Sequence, residues 1–143
     1  MNGPGVIKTM AEKIIAKLKR VVGNRERVCG ELIVAKEPIS FLGDAVPEEG
    51  IIRGLGSVVG KIVVYPAAIG STVSSYKIYG FSYYGKAPAA FVAEKNVDPV
   101  TLIGCVLGNI PLYEIKEAIE LPDLARANGR RACISGNFLI LLE

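Results

Sequence analysis

The sequence is 143 residues long, 50% hydrophobic and 22% charged, enough apolar material for one packed domain. A formal net charge of +3, without a basic patch interleaved with aromatics, gives no support to nucleic-acid binding. Histidine is absent, which excludes Ser–His and Cys–His nucleophile pairs and leaves acid–base chemistry to other side chains.

In chain order, Ile7, Met10, Ile14, Ile15, Leu18, Val21 and Val22 recur at helical spacing, with Lys8, Glu12, Lys13, Lys17 and Lys19 between them. The pattern predicts an amphipathic helix ending near Gly23–Asn24. Its lysines read as a solvated face over a packed stripe, and a membrane or anionic surface is the other use of such a face. Residues 1–24 are accordingly expected to form a helical extension to a domain over 25–143.

RVCGELIVAK, from Arg27 to Lys36, is rich in strand formers, and PISFLGDAVPEEG after it reads as an exposed loop. GKIVVYP, from Gly60 to Pro66, has the continuous apolar run of a strand buried on both faces. The segment AAIGSTVSSYKIYGF then predicts a loop through Gly70, Ser71 and Thr72 and a helix starting around Thr72 or Val73. PAAFVAE reads as a strand, DPVTLIGCVLGN as a short helix with Asp98 as cap and Pro99 at its first position, and IPLYE as another strand. RRACISGNFLILLE reads as two strands joined at Ser135–Gly136–Asn137. Alternating strands and helices predict an α/β fold.

Cys29, Cys105 and Cys133 are far apart, odd in number and set among apolar neighbours. They read as buried structural thiols rather than a metal site or redox pair. The longest apolar runs fall well short of a membrane span. MNGPGVIKTMAEK has no long apolar stretch ending in a cleavage site, so a cytoplasmic location without membrane attachment is expected.

The place where chemistry is expected is the junction around Ser71. A Gly–Ser pair between a buried strand and a helix puts a hydroxyl where backbone N–H groups converge and the helix dipole favours negative charge. The ordinary use of a serine there is as a helix cap, and Ser74 and Ser75 in a first turn would ordinarily satisfy local backbone groups. The spacing matches neither a P-loop nor a G-x-S-x-G elbow.

The string from Gly60 to Glu114, GKIVVYPAAIGSTVSSYKIYGFSYYGKAPAAFVAEKNVDPVTLIGCVLGNIPLYE, resembles the small subunit of aconitase X proteins. The shared order is a strand, a Gly-Ser-rich loop, an aPaA strand and a d-P-helix-iPl segment. VCGELIVAKEPISFLGDAVPEEGII, from Val28 to Ile52, is similar to the family's opening strand and SF-x-G-G-V-D loop. Asp44 stands where the family commonly has the second Gly, and Gly54 to Ser57 replaces a stretch that often contains His-Pro.

The resemblance implies a swivelling β/β/α domain, the counterpart of aconitase's mobile domain, in which Ser71 is the proton acceptor and Gly70, Thr72, Ser74 and Ser75 lie against substrate. It also implies a separate large subunit carrying a four-iron four-sulfur cluster, whose iron would act as Lewis acid on the departing hydroxyl. The implied reaction is dehydration of (R)-5-phosphomevalonate, a small phosphorylated hydroxy acid, to trans-anhydromevalonate 5-phosphate. Dehydration of cis-3-hydroxyproline is the alternative within the family. A non-catalytic swivelling module, with Ser71 a mere cap, is the alternative outside it.

Overall fold

The computed structural model describes residues 12–119 and 121–142. Its first element is not a helix. Residues Glu12–Val22 form a long strand, β1; the part of the expected helix before Glu12 lies outside the described residues. The reason is a β-bulge. Ile14 faces Ile140 and Ala16 faces Leu139, which leaves Ile15 as the extra residue. Further register shifts follow between Lys17 and Leu18 and between Arg20 and Val22. Ile15 and Ala16 are therefore both buried, and beyond them Leu18 is buried between exposed Lys17 and Lys19. A bulge that breaks two-residue alternation leaves apolar positions spaced as on a helix. The β-branched Ile14, Ile15, Val21 and Val22 were the local signal for a strand.

After β1 the chain forms β2 (Arg27–Val34), β3 (Ile39–Ser40), α1 (Phe41–Asp44), β4 (Ala45–Val46), a 3-10 turn at Pro47–Glu49, β5 (Ile51–Ile52) and β6 (Gly56–Ser57). It continues through β7 (Ile62–Tyr65), β8 (Ala68–Ile69), α2 (Ser74–Tyr83), β9 (Ala90–Ala93), α3 (Pro99–Gly108) and β10 (Leu112–Ala118). It ends with α4 (Leu121–Arg126), β11 (Arg131–Ser135) and β12 (Phe138–Leu142).

The sheet closes as a barrel in the order β1-β10-β9-β7-β2-β11-β12. Strands β2, β7, β9 and β10 run parallel, and the remaining pairings are antiparallel. The parallel strands are covered on both faces. Ile62 and Val64 join Leu32, Ala90 and Val92 in the barrel interior, closed by Leu124 and Ala127 around the end of α4. Val63 and Tyr65 point the other way, with Phe91 of β9, into a second core shared with Phe41, Ile78 and Phe81 from the helical layer. This is the layered β/β/α arrangement expected of a swivelling domain.

PISFLGDAVPEEG is not an exposed loop. Its Ile39, Phe41, Ala45 and Pro47 are buried, and Phe41 meets Tyr65 and Phe91 edge-on at 6.2 and 5.5 Å between ring centroids. Edge-to-face contact is a favoured geometry for such rings. The Pro, Gly and acidic residues turn the chain while every few positions an apolar residue anchors it. Helix α4 was also not expected.

Cys29 and Cys133 are not free thiols. Their strands pair so that the two residues stand directly opposite each other, and they form a disulfide across β2 and β11. Cys105 is free and buried, as expected.

Candidate functional site

Parallel strands deliver their carboxyl ends to one edge of a sheet, and crossovers return over one face. Here β7 ends at Tyr65 and the chain turns through Pro66 and Ala67 into β8, which pairs in parallel with β3. It then enters the Gly70–Val73 loop. Gly70 has φ +134°, a conformation that L-residues other than glycine rarely adopt. Beyond it Ser74, Ser75 and Tyr76 donate their N–H groups to the carbonyls of Ser71, Thr72 and Val73 at 3.0, 3.3 and 3.0 Å.

Helix α2 thus opens on a tight turn in which the amides of 74–76 are already used. What the entrance still offers is its exposed side chains at 71–73 and the end of the helix dipole. No side chain caps the helix, and the residue at the cap position, Val73, is itself helical. The Ser71 hydroxyl is therefore not spent as a cap. Ser71 and Thr72 are exposed, at the positive end of a ten-residue helix.

The three serines of this stretch differ in fate. Ser75 is buried and donates its hydroxyl to the Val100 carbonyl at 2.8 Å, fastening α2 to α3. Ser74 is buried with no hydrogen-bond partner for its Oγ. Ser74 lines a hollow of about 190 Å³ together with Ile69, Gly70, Asp98 and Val100. Ser71 stays open to solvent. Among the predicted residues, then, Gly70, Ser71, Thr72 and Ser74 gather at one entrance, while Ser75 belongs to the packing behind it.

Asp98 caps α3 as its position predicts. Its carboxylate accepts from the Thr101 N–H at 2.9 Å and from the Thr101 hydroxyl at 2.6 Å. Tyr65 and Cys105 lie in this neighbourhood. Burial pushes the Tyr65 phenol up, with Cys105 and then Asp98 adding to the shift. Burial, and then Asp98, pushes the Cys105 thiol up. Both groups are neutral at ordinary pH, so neither supplies an anion to the site.

A larger hollow of about 460 Å³ lies beside the end of β2, lined by residues including Lys36, Asp44, Arg53, Leu55 and Asn128. It does not include Ser71. The Asp44 carboxylate accepts from the Ser40 N–H at 3.3 Å, and Arg53 donates to the Gly43 carbonyl at 2.8 Å; of the departing positions, Asp44, Gly54 and Leu55 line this hollow rather than the serine loop. Sequence reasoning missed it because its residues come from separate stretches of chain, the end of β2, the segment after it, 52–55 and Asn128, which only the fold brings together.

Among the described residues no group of three or more His, Cys, Asp or Glu side chains could hold a metal ion. No helix among them is long and apolar enough to cross a membrane.

Comparison with known proteins agrees with this architecture. The family model for the aconitase X swivel domain matches residues 16–136. A relative named phosphomevalonate dehydratase small subunit, from Pyrococcus abyssi, is 45% identical over 103 residues, covering 67% of this chain and 78% of the relative. One of the same name from Methanosarcina acetivorans is 33% identical over 129 residues, covering 82% of this chain and 89% of its own. The holo-form crystal structure of Thermococcus kodakaraensis aconitase X superposes with a TM-score of 0.72 at 27% identity, covering 93% of this chain and 99% of that one. With the β7–loop–α2 junction and the closed barrel inside the matched span, the chain belongs to the aconitase X swivel domain family.

Proposed function

We propose that this chain is the small subunit of a two-chain dehydratase that converts (R)-5-phosphomevalonate to trans-anhydromevalonate 5-phosphate in a modified mevalonate route to isoprenoids, with Ser71 taking the proton. The observation that carries the role of Ser71 is that its hydroxyl is exposed at the entrance of α2 with no capping bond to make. The relatives named phosphomevalonate dehydratase small subunit support the substrate and the partner.

Removal of water breaks a C–H bond and a neighbouring C–O bond and forms a C=C bond. The C–H step needs a base. An ionised Ser71 oxygen takes the proton and becomes a hydroxyl, while the C–H electron pair becomes the new π bond and the oxygen leaves with the C–O pair. Serine is a very weak acid, so its anion must be stabilised. The positive end of α2 supplies part of that, and it acts more strongly once a closed cleft excludes water. Gly70, with its φ of +134°, and the bond from the Ser74 N–H to the Ser71 carbonyl set the course of the loop.

The cysteines do not fit a cluster site: Cys29 and Cys133 are joined to each other and Cys105 is sealed in the core. No step here runs through an iron–sulfur group. The four-iron four-sulfur cluster then belongs to the large subunit, and the complex works on its phosphorylated substrate in the cytoplasm.

The test is to co-purify the chain with its large subunit, reconstitute anaerobically, and follow loss of water from (R)-5-phosphomevalonate. Ser71→Ala is expected to lower kcat by about 10²–10⁴-fold, the usual worth of a positioned base, with the complex intact. Wild-type turnover in that variant would overturn the role of Ser71. Turnover of cis-3-hydroxyproline alone would replace the substrate.

A further inference from the structure

A helix apolar on every side is one that expects to be buried all round. Helix α3, PVTLIGCVLG, carries no charged residue, yet only one side of it is covered. Thr101, Gly104 and Cys105 pack inward. On the other side Ile103, Val106 and Leu107 are 51, 58 and 57% exposed.

Beside them on α2 stands Tyr76, 72% exposed, with Val73 half exposed at the helix entrance. Between the two helices runs a groove of about 300 Å³ lined by Thr72, Val73, Ser75, Tyr76, Val100, Ile103 and Leu107. Contiguous exposed apolar surface rimmed by polar residues marks a contact site, and exposed tyrosines are typical anchors of one.

We infer that this α2–α3 groove is the surface on which the large subunit docks. The inference rests on the proposed small-subunit role and adds where the partner sits. Two observations choose the occupant. The groove begins at Thr72 and Val73, directly after Ser71, so the chain that completes the site around Ser71 meets the groove as it does so. The relatives are named small subunits, which calls for a larger chain. A second copy of this chain is a poorer occupant: a two-fold contact uses the same patch on both sides and would press both Ser71 loops together, closing each to substrate.

The docked partner fills the groove between Tyr76 and Ile103, buries the outer side of α3, and turns an open loop into a walled cleft. The same contact would exclude the water that weakens the α2 entrance as an anion site. Docking and chemistry are thereby coupled through adjacent residues, Ser71 and Thr72.

The test measures binding of the full chain to its large subunit by titration calorimetry and size-exclusion chromatography. Ile103→Asp and Leu107→Asp are expected to weaken binding by at least about 30-fold, the loss typical of an anchor residue. Tyr76→Glu serves as a third variant, at a position 72% exposed and so tolerant of a charge. Ser71→Ala and Phe138→Asp, the latter on an exposed residue of β12, should bind as wild type. Wild-type affinity in the three groove variants, with a wild-type complex formed, would overturn the docking surface and leave the proposed function standing. A wild-type chain that binds no large subunit but self-associates in a manner abolished by Ile103→Asp would overturn both.

Discussion

Gly70 and Ser74 stand so close that a Cβ on residue 70 would lie 2.9 Å from the buried Ser74 hydroxyl oxygen. Since Gly70 also has φ +134°, an alanine there is strained by its backbone conformation and must in addition push the Ser74 hydroxyl aside. Strain of this kind costs about 1–3 kcal/mol and is relieved by moving the loop. Gly70→Ala is therefore expected to displace Ser71 and lower kcat by about 100-fold, the size of effect that misplacement by about 1 Å produces. The barrel is untouched, so the melting temperature should fall only modestly. A variant with normal turnover would show that the position of Ser71 does not depend on this contact.

The disulfide offers a separate test of the barrel. Cys29 and Cys133 are 104 residues apart in sequence, so their bond ties β2 to β11 across most of the chain. Closing a loop of that length restricts the unfolded state, and losing such a bond commonly costs about 2–5 kcal/mol. Cys29→Ser with Cys133→Ser should melt lower than wild type and keep its dehydratase activity, because the bond is not part of the Ser71 loop. Intact mass after alkylation without reductant should show one reactive thiol per unfolded chain, Cys105. Three alkylated thiols would contradict the pairing.

Which of these features could be read from the amino-acid order depends on how local they are. The cap of α3 was legible because Asp98, Pro99 and Thr101 act within one turn. The β7–loop–α2 junction was legible because an apolar run, a glycine and a helix-forming stretch follow one another directly. Strand β1 was not, because its bulge at Ile15 depends on how β12 and β10 pair with it, and the resulting spacing imitates a helix. The Cys29–Cys133 bond was hidden for the same reason: only strand register brings the two residues opposite each other. Within the site, Ser74 and Ser75 are neighbours of similar chemistry, and their fates differ because only Ser75 reaches an acceptor on α3, the Val100 carbonyl. No pattern along the chain records that.

Stability should also depend on pH in the alkaline range. Burial first, and then Asp98, holds the Cys105 thiol above its ordinary value of 9.0, so the native chain keeps a proton that the unfolded chain releases. The unfolded state then binds fewer protons, and stability falls as pH rises above about 9. Tyr65, raised chiefly by burial, acts in the same direction at higher pH. Melting temperatures between pH 7 and pH 10.5 should therefore decline, and Cys105→Ala should decline less steeply over the same range, whatever its starting stability. Parallel curves for the two proteins would remove Cys105 from the account.

The close approach of α2 and α3 links the groove to the serine loop. A Cβ on Gly104 would lie 2.7 Å from the Cβ of Ile78 and 3.1 Å from the Ser75 carbonyl oxygen. Neither is the free end of a flexible side chain, so the helices must separate to admit a methyl group. Overpacking of this sort costs about 1–3 kcal/mol. Separation would also stretch the 2.8 Å bond from Ser75 to Val100 and carry the start of α2, with Ser71, out of position. Gly104→Ala is thus expected to lower melting temperature, large-subunit affinity and kcat together. Ser71→Ala should lower kcat alone, and Ile103→Asp should act through affinity, its turnover recovering at saturating large subunit. That three-way pattern, read by thermal melting, calorimetry and turnover on one set of proteins, separates the base, the docking face and the packing that positions both. If Gly104→Ala matched wild type in all three measurements, the helices would not be as close as the structure places them.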